Sequence, residues 1–461
     1  HLFILPTNSS ISMKALIIAT SNVKEPESSA KVVSKPLLQL LGLSLIERVV
    51  LASKKAGISE FIIITDNLGE KIRAKLKDGS EHGIRIDYVE DKELERGEII
   101  PITKIREKLK EKFVLLMADC IFDVNVLKGL IKVDTDRSIA LVIDRENFVS
   151  GGIRTLEENG KILDMGDEIR NANCLCAKMF LCSPKVLHYF EEIMKEGKTK
   201  FVDCIVKAAR NDDVQILEIG SIRISDPDFK IAKPWWVEIK TIDDLKIAER
   251  FLIKSIQKRN HFAAYYNAPI EDKITIFISK YSWITPNRVS ILTNIFAYCV
   301  TYLFLTNYLL IASVLTFIVS VFDGVDGKLA RLKYMETKVG KLEHSFDFLW
   351  EISWIIAFSI ALLDLFGNLP LFLCLTILPF DFFNRHIFMQ FKSVMGDLRG
   401  FSRFDRIFGL IDGRRNTYLW YILAGVILNQ PIYSLLAILS HATVTSIVYA
   451  IRTLQHASQA R

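Results

Sequence analysis

The chain has 461 residues, room for two or three domains, and half of them are hydrophobic. A formal charge of +6 is too small for a nucleic-acid footprint at this length and fits basic loops beside a membrane. Cys120, Cys174, Cys176, Cys182, Cys204, Cys299 and Cys374 form no Cys-x-x-Cys pair and no zinc-ligand spacing, which fits buried free thiols, with the soluble half in a reducing compartment. Residues 1–12, ahead of Met13, lack the charged start and long apolar centre of a signal peptide and are set aside.

Residues 14–20 read as a buried strand, 45–56 as an amphipathic helix, 60–65 as the next strand and 68–77 as a helix. Strands follow at 84–89 and at 113–119, the latter ending on Asp119. Alternating strands and helices predict a doubly wound α/β sheet, whose ligands bind beyond the carboxyl ends of the strands. Asp119 stands at such an end, where a plain turn aspartate is the other reading.

Past residue 268 the composition changes. Residues 255–268 read as a linker, and 269–283 as a helix lying at a membrane interface, with Ile274, Ile276, Phe277, Ile278, Tyr281 and Trp283 set among charges. A buried soluble helix is the alternative there. About 20 apolar residues cross a bilayer, and six such spans are expected at 289–307, 309–333, 339–363, 369–391, 416–429 and 431–452. The breaks at Lys328 to Lys341 and Lys392 to Arg415 are basic, and the others carry almost no charge. The positive-inside rule then puts the basic breaks, the soluble domain and the C-terminus in the cytoplasm of a multi-pass cell-membrane protein.

The run Asp323-Gly324-Val325-Asp326-Gly327-Lys328-Leu329-Ala330-Arg331 closes the second span, and Glu343 and Asp347 follow at i, i+4 spacing. Carboxylates beside a span are costly unless they face water, a metal or each other, so the cluster predicts a functional site. Solvated helix-end charges are the plain alternative. Arg385, Lys392, Arg399, Arg403, Arg406, Arg414 and Arg415 form a second, basic cluster, read either as phosphate or headgroup ligands or as ordinary positive-inside charge.

Two family resemblances follow from these residues. The opening strand, Lys35-Pro36-Leu37, Gly42-Leu43-Ser44-Leu45-Ile46-Glu47-Arg48, Ala118-Asp119 and the stretch from Trp236 to Leu245 make residues 13–254 resemble the sugar-phosphate and alcohol-phosphate nucleotidyltransferases. The resemblance implies a glycine-rich phosphate loop after strand one and two aspartates holding Mg²⁺. The chain departs at both places. Thr20-Ser21-Asn22-Val23-Lys24-Glu25-Pro26 has no glycine, and Lys240 precedes Thr241 where the second aspartate is expected. A lysine cannot ligate Mg²⁺, so a catalytically degenerate domain kept for regulation or docking is expected, with an active one as the alternative.

Asp323, Asp326, Gly327, Ala330 and Arg331, with Thr285-Pro286-Asn287 upstream, resemble the CDP-alcohol phosphotransferase signature over residues 284–455. That resemblance implies transfer of the substituted phosphoryl group of a CDP-alcohol to an acceptor alcohol, with release of CMP. It further implies two Mg²⁺ or Mn²⁺ ions held by Asp323, Asp326, Glu343 and Asp347. Asp323, Gly327, Ala330 and Arg331 would bind the nucleotide, and Asp347 would be the general base. Arg399, Arg403, Arg414 and Arg415 would hold the acceptor's phosphate. The acceptor would be an alcohol, a phosphorylated alcohol or a lipid, as in phospholipid biosynthesis, and the enzyme a homodimer. The second half of the signature fits Glu343 and Asp347 only with a spacer one residue short. Counting from Gly340 gives His344 and Phe348, and a third register uses Asp347 and Glu351. The domain order resembles archaeal fusions of inositol-phosphate cytidylyltransferase with di-inositol-phosphate-phosphate synthase, in which the first domain makes the CDP-alcohol that the second uses. A non-catalytic membrane sensor of nucleotide or lipid is the alternative of another class.

Overall fold

The computed structural model describes residues 13–20, 35–66, 69–146, 151–222, 233–258, 261–337 and 343–459, with the side chains of Glu95, Glu343 and His344 outside that description. The chain divides into two compact units, one ending at Ser255 and the other beginning at Ile256.

The first unit is built on a nine-stranded sheet. Its strands are β1 (Lys14–Ala19), β2 (Glu60–Thr65), β3 (Arg85–Glu90), β4 (Phe113–Met117), β5 (Ile139–Asp144), β6 (Ile153–Glu158), β7 (Lys161–Met165), β8 (Cys174–Cys182) and β9 (Val214–Glu218). β3, β2, β1 and β4 lie side by side and parallel. β8 then joins β4 antiparallel and branches to β5 and β6. The apolar runs in β1, β2 and β4 are buried, as strands covered on both faces must be.

The helices are α1 (Leu45–Ala56), α2 (Gly69–Leu76), α3 (Val124–Ile131), α4 (Val186–Lys195), α5 (Phe201–Arg210) and α6 (Ile242–Ser255). α1 begins where its sequence dictates. Ser44 caps it, Glu47 reaches back to the Ser44 amide at 2.7 Å, and Gly57 ends it at φ 111°. Because β2 and β4 flank β1 on opposite sides, the chain reverses direction between β1 and β4. That is the switch point at which such sheets hold ligands.

The second unit is helical: α7 (Ala263–Ser279), α8 (Pro286–Leu305), α9 (Leu309–Leu332), α10 (Glu343–Ala361), α11 (Leu369–Met395), α12 (Arg403–Ile411), α13 (Arg415–Ile427) and α14 (Pro431–Gln459). Trp350, Trp354, Phe304 and Phe358 fill its core, while Ile291, Leu292, Tyr302, Phe372, Ile447 and Ile451 face outward. Outward apolar side chains on long helices suit a lipid surround. Helices stand at all six expected span positions, but among the described residues only α8, α9, α11 and α14 are long and apolar enough to cross a membrane. α13 has 13 residues, about 20 Å of rise against a core of about 30 Å. α10 opens on charged residues, which leaves its apolar part short.

The interfacial helix also differs from expectation. It starts at Ala263, inside the expected linker, and runs through Pro269 to Ser279. Its buried face is Asn267, Glu271, Thr275 and Ser279, a polar stripe packed on α9, while Tyr265, Ile270 and Phe277 point outward. That packing holds the helix through a proline that local preference would place at its start. Cys299 is exposed on α8, unlike the other six cysteines.

Candidate active site

The whole run from Asp323 to Arg331 lies in the last turns of α9. Asp323 Oδ2 accepts from Arg415 Nη2 on α13 at 2.6 Å. Asp326 is buried, and its Oδ2 accepts from Ser290 Oγ on α8 at 2.7 Å. Ser290 follows Thr285, which caps α8, with Pro286 in the first helical position. The Thr-Pro-Asn feature therefore serves to start the helix that brings a hydroxyl to Asp326.

Lys328, 1% exposed, is paired with Glu271 at 2.9 Å and Asp272 at 2.5 Å on α7. Arg331 Nε donates to the Ile256 carbonyl at 3.0 Å. A Cβ at Gly327 would lie 3.2 Å from Arg331 Nη1, so this glycine makes room for the arginine that folds back over it. Ala330 is half-buried on the same helix.

Asp347 is buried on α10, one turn after Glu343. Gly340 and the spacer that sets the register lie outside the described residues, as does the Glu343 side chain. Glu351, the acid of the third register, is occupied by arginines. It pairs with Arg385, and with Arg415 at 2.9 Å. Among the described residues no three acidic, histidine or cysteine side chains converge at metal distance. The donors present are nonetheless all carboxylates, the ligand type that Mg²⁺ and Mn²⁺ require. A cation, the Arg415 guanidinium, already rests on Asp323.

The basic cluster splits. Arg399 pairs with Asp397 at 2.5 Å and stacks on Phe388. Arg414 pairs with Asp412 and donates to the Gly409 carbonyl at 3.0 Å. Arg403 is exposed at the start of α12. Of the four arginines read as phosphate ligands, Arg415 pairs with the acidic motif, at Asp323. Buried guanidinium groups need counter-charges inside the bundle, and the interleaved aspartates supply them.

At the switch point of the first unit, Asp119 pairs with Lys35 at 2.5 Å. Glu238, on the short strand Trp236–Glu238 paired with Cys120–Phe122, pairs with Lys178 of β8 at 2.5 Å and with Lys240 at 3.2 Å. The Gly152 amide donates to its Oε2 at 2.6 Å. Gly151 has φ +82°, and a Cβ there would come within 2.8 Å of Glu238 Oε2, so the close approach requires glycine.

Burial acts to raise the Glu238 carboxyl, but the Lys178 ammonium outweighs it and holds the group below the usual range. Burial acts to lower Lys178, and the charges of Glu238 and Asp119 overcome it and hold the ammonium above its usual range. The second carboxylate of this site is thus Glu238, two residues before the position the motif suggested, with the Lys240 ammonium resting on it. The available signal for an inward acid was its place directly after the apolar pair Trp236-Val237, on a strand buried at all three positions. The glycine-free segment 21–26 lies outside the described residues.

A soluble α/β domain with paired acids and lysines at its switch point, joined to a helical domain with an acidic motif on a span, defines a membrane-associated transferase. A nucleotidyl transferase family profile matches residues 30–164, and a CDP-alcohol phosphatidyltransferase profile matches residues 283–445. The two profiles fall in separate units of the chain, the first in the α/β unit and the second in the helical one.

The same two-domain layout belongs to relatives named bifunctional IPC transferase and DIPP synthase. The relative from Aquifex aeolicus is 23% identical over 335 residues, 71% of this chain and 72% of its own length. The one from Rubrobacter xylanophilus is 24% identical, over 65% of this chain and 66% of its own. The solved inositol-1-phosphate CTP transferase from T. maritima is 20% identical with a TM-score of 0.44, covering 52% of this chain and 94% of that one.

Proposed function

We propose that the helical domain transfers the substituted phosphoryl group of a CDP-alcohol to an acceptor alcohol, and that the soluble domain makes that donor from CTP and an alcohol phosphate. The observation that carries the first reaction is the placement of Asp323, Asp326 and Asp347 on α9 and α10, consecutive helices bridged by Arg415, with Asp326 and Asp347 buried. Asp323, Asp326, Glu343 and Asp347 would hold two Mg²⁺ or Mn²⁺ ions, which neutralise the donor's diphosphate when bound. Asp347 takes the proton of the acceptor hydroxyl. The acceptor oxygen bonds to the phosphorus bearing the alcohol, the bridging bond to the cytidylyl group breaks, and CMP leaves. Arg415 and the exposed Arg403 are the cations available to an acceptor's phosphate. Six spans, with the basic breaks and the C-terminus on the cytoplasmic side, fit this site to a donor made in the cytoplasm.

For the soluble domain, Lys35, Lys178, Asp119 and Glu238 supply the cations and carboxylates that nucleotidyl transfer needs at the switch point. The second reading, a degenerate domain, draws support from Lys240 on Glu238.

The full chain tests both readings. With CTP and a panel of alcohol phosphates, pyrophosphate release abolished by Asp119→Asn is expected. Release that never exceeds background would return the domain to a regulatory role. With CDP-alcohols and acceptors, CMP release abolished by Asp347→Asn is expected. Binding of CMP without any turnover would point instead to a sensor.

A further inference from the structure

Arg415 opens α13 and reaches two other helices. Its Nη2 lies 2.6 Å from Asp323 Oδ2 on α9, and its Nη1 lies 2.9 Å from Glu351 Oε1 on α10. The guanidinium also stacks over the Trp350 ring, 4.8 Å from its centroid. Beyond Glu351 the alternation of charge continues to Arg385 and then to Asp381, 3.3 Å from Arg385 Nε on α11. The motif aspartate is therefore the outer end of an ionic chain that runs into the core of the helical unit.

Beside this chain is a cavity of about 20 Å³ lined by Glu351, Asp381, Arg385, Arg415, Tyr418 and Trp354. Its polar wall is not satisfied. Asp381 Oδ1 and the Tyr418 hydroxyl are buried close to one another without a well-formed hydrogen bond among the described residues. Such groups are costly to leave unpaired. A guanidinium carries five donors. Moved inward from Asp323, it would meet Asp381 and Tyr418 while keeping Glu351. Two arrangements of one cation, each with its own acceptors, make a two-state element of the kind that couples sites.

We propose that Arg415 is an internal counter-cation of the acidic motif, which neutralises Asp323 in the absence of divalent cations and withdraws toward Glu351, Asp381 and Tyr418 when they bind. The inference rests on the reading of Asp323 as a cation ligand. It makes Arg415 a positioning residue that sets cation affinity and keeps an empty site from holding bare, mutually repelling carboxylates. It also gives Glu351 a role apart from ligation, as the anchor Arg415 keeps in both states.

The test is Mn²⁺ binding to the purified full-length protein in detergent, read from the free-ion electron paramagnetic resonance signal. Arg415→Gln removes the competitor, and Mn²⁺ is expected to bind about tenfold more tightly, the size of one charge-assisted hydrogen bond. Glu351→Gln takes away the inner anchor, leaves Arg415 on Asp323 and is expected to weaken Mn²⁺ by a similar factor. A folded Arg415→Gln protein that binds Mn²⁺ no more tightly than the parent overturns the inference. Should that variant not fold, unchanged or tighter binding by Glu351→Gln overturns it equally. Wild-type protein that binds no Mn²⁺, or binds it equally well as Asp326→Asn, overturns the cation-site reading and this inference with it.

Discussion

Gly324 sits where α9 meets the polar face of α7, and replacing it with alanine probes that contact directly. A Cβ at this position would lie 2.5 Å from Glu271 Cδ and closer still to Oε1. The backbone does not block the methyl group. A carboxylate does, and that carboxylate is tied to the buried Lys328 ammonium at 2.9 Å. Alanine in a helix interior gains about 1 kcal/mol over glycine. Driving Glu271 off Lys328 loses a charge-assisted contact of about 1.5–3 kcal/mol, with Asp272 still on the lysine. The net expectation is a loss of about 0.5–2 kcal/mol, or about 1–8 °C in the unfolding midpoint of the helical unit.

In a Glu271→Ala background the obstacle is gone. There Gly324→Ala should be neutral or stabilising by up to about 1 kcal/mol, a coupling of about 0.5–3 kcal/mol between the two sites. Thermal unfolding of the four proteins in one detergent measures it. Equal destabilisation by Gly324→Ala in both backgrounds would refute the contact as the reason for the glycine.

Three further outcomes are expected. Asp347→Asn should lower the rate of CMP release at least about 100-fold with little change in the donor's KM, the pattern of a lost general base; a variant with full activity would dismiss Asp347 from that role. Lys178→Met leaves the buried Glu238 with Lys240 alone and should cost the soluble domain about 2–4 kcal/mol at pH 7. Because Glu238 is held below its ordinary 4.5 in the folded protein, its charge contributes stability above that pH, and the contribution is lost as pH falls through the folded value. The deficit of Lys178→Met should therefore hold from pH 7 to about pH 4.5 and shrink below it, and a deficit that stays constant down to about pH 3 argues against the pair. Ser44→Ala removes the cap of α1 and should cost about 1 kcal/mol in the same unfolding transition.

Local features were legible where local physics decides them. Ser44-Leu45-Ile46-Glu47 writes a capping box, and α1 starts there. Thr285-Pro286 writes a helix start, and α8 obeys it. The apolar runs placed a helix at each of six positions. Their lengths were less legible, because apolar composition does not mark where a helix such as α13 stops. The start of α7 was missed for the opposite reason. Pro269 signals a beginning, yet the stripe Asn267, Glu271, Thr275 and Ser279 finds its partners on α9 and carries the helix through. The partners of the motif lie far off in the chain. Lys328 meets Asp272 across 56 positions and Arg415 meets Asp323 across 92, and no periodicity reports a pairing of that kind. Glu238 was passed over because the motif drew attention to position 240, while burial on a three-residue strand picks the acid two residues earlier.

The charges around α9 explain how a run of carboxylates is tolerated at the end of a membrane helix. An isolated buried carboxylate is costly, and an unpaired lysine equally so. Here Asp323 faces Arg415, Asp326 faces the Ser290 hydroxyl, and Lys328 faces Glu271 and Asp272. Each partner comes from a different helix, so the motif is neutralised by the fold of the whole unit rather than by its own turn. Ligands that bind the acids must compete with these partners. The partners differ in how readily they yield. Lys328 is locked between two acids on α7, and its release would cost both pairs. Arg415 has a second set of acceptors beside it, so it can leave Asp323 without being stranded. The side of the motif facing α13 is therefore the one built to exchange partners, and the side facing α7 is the one built to stay.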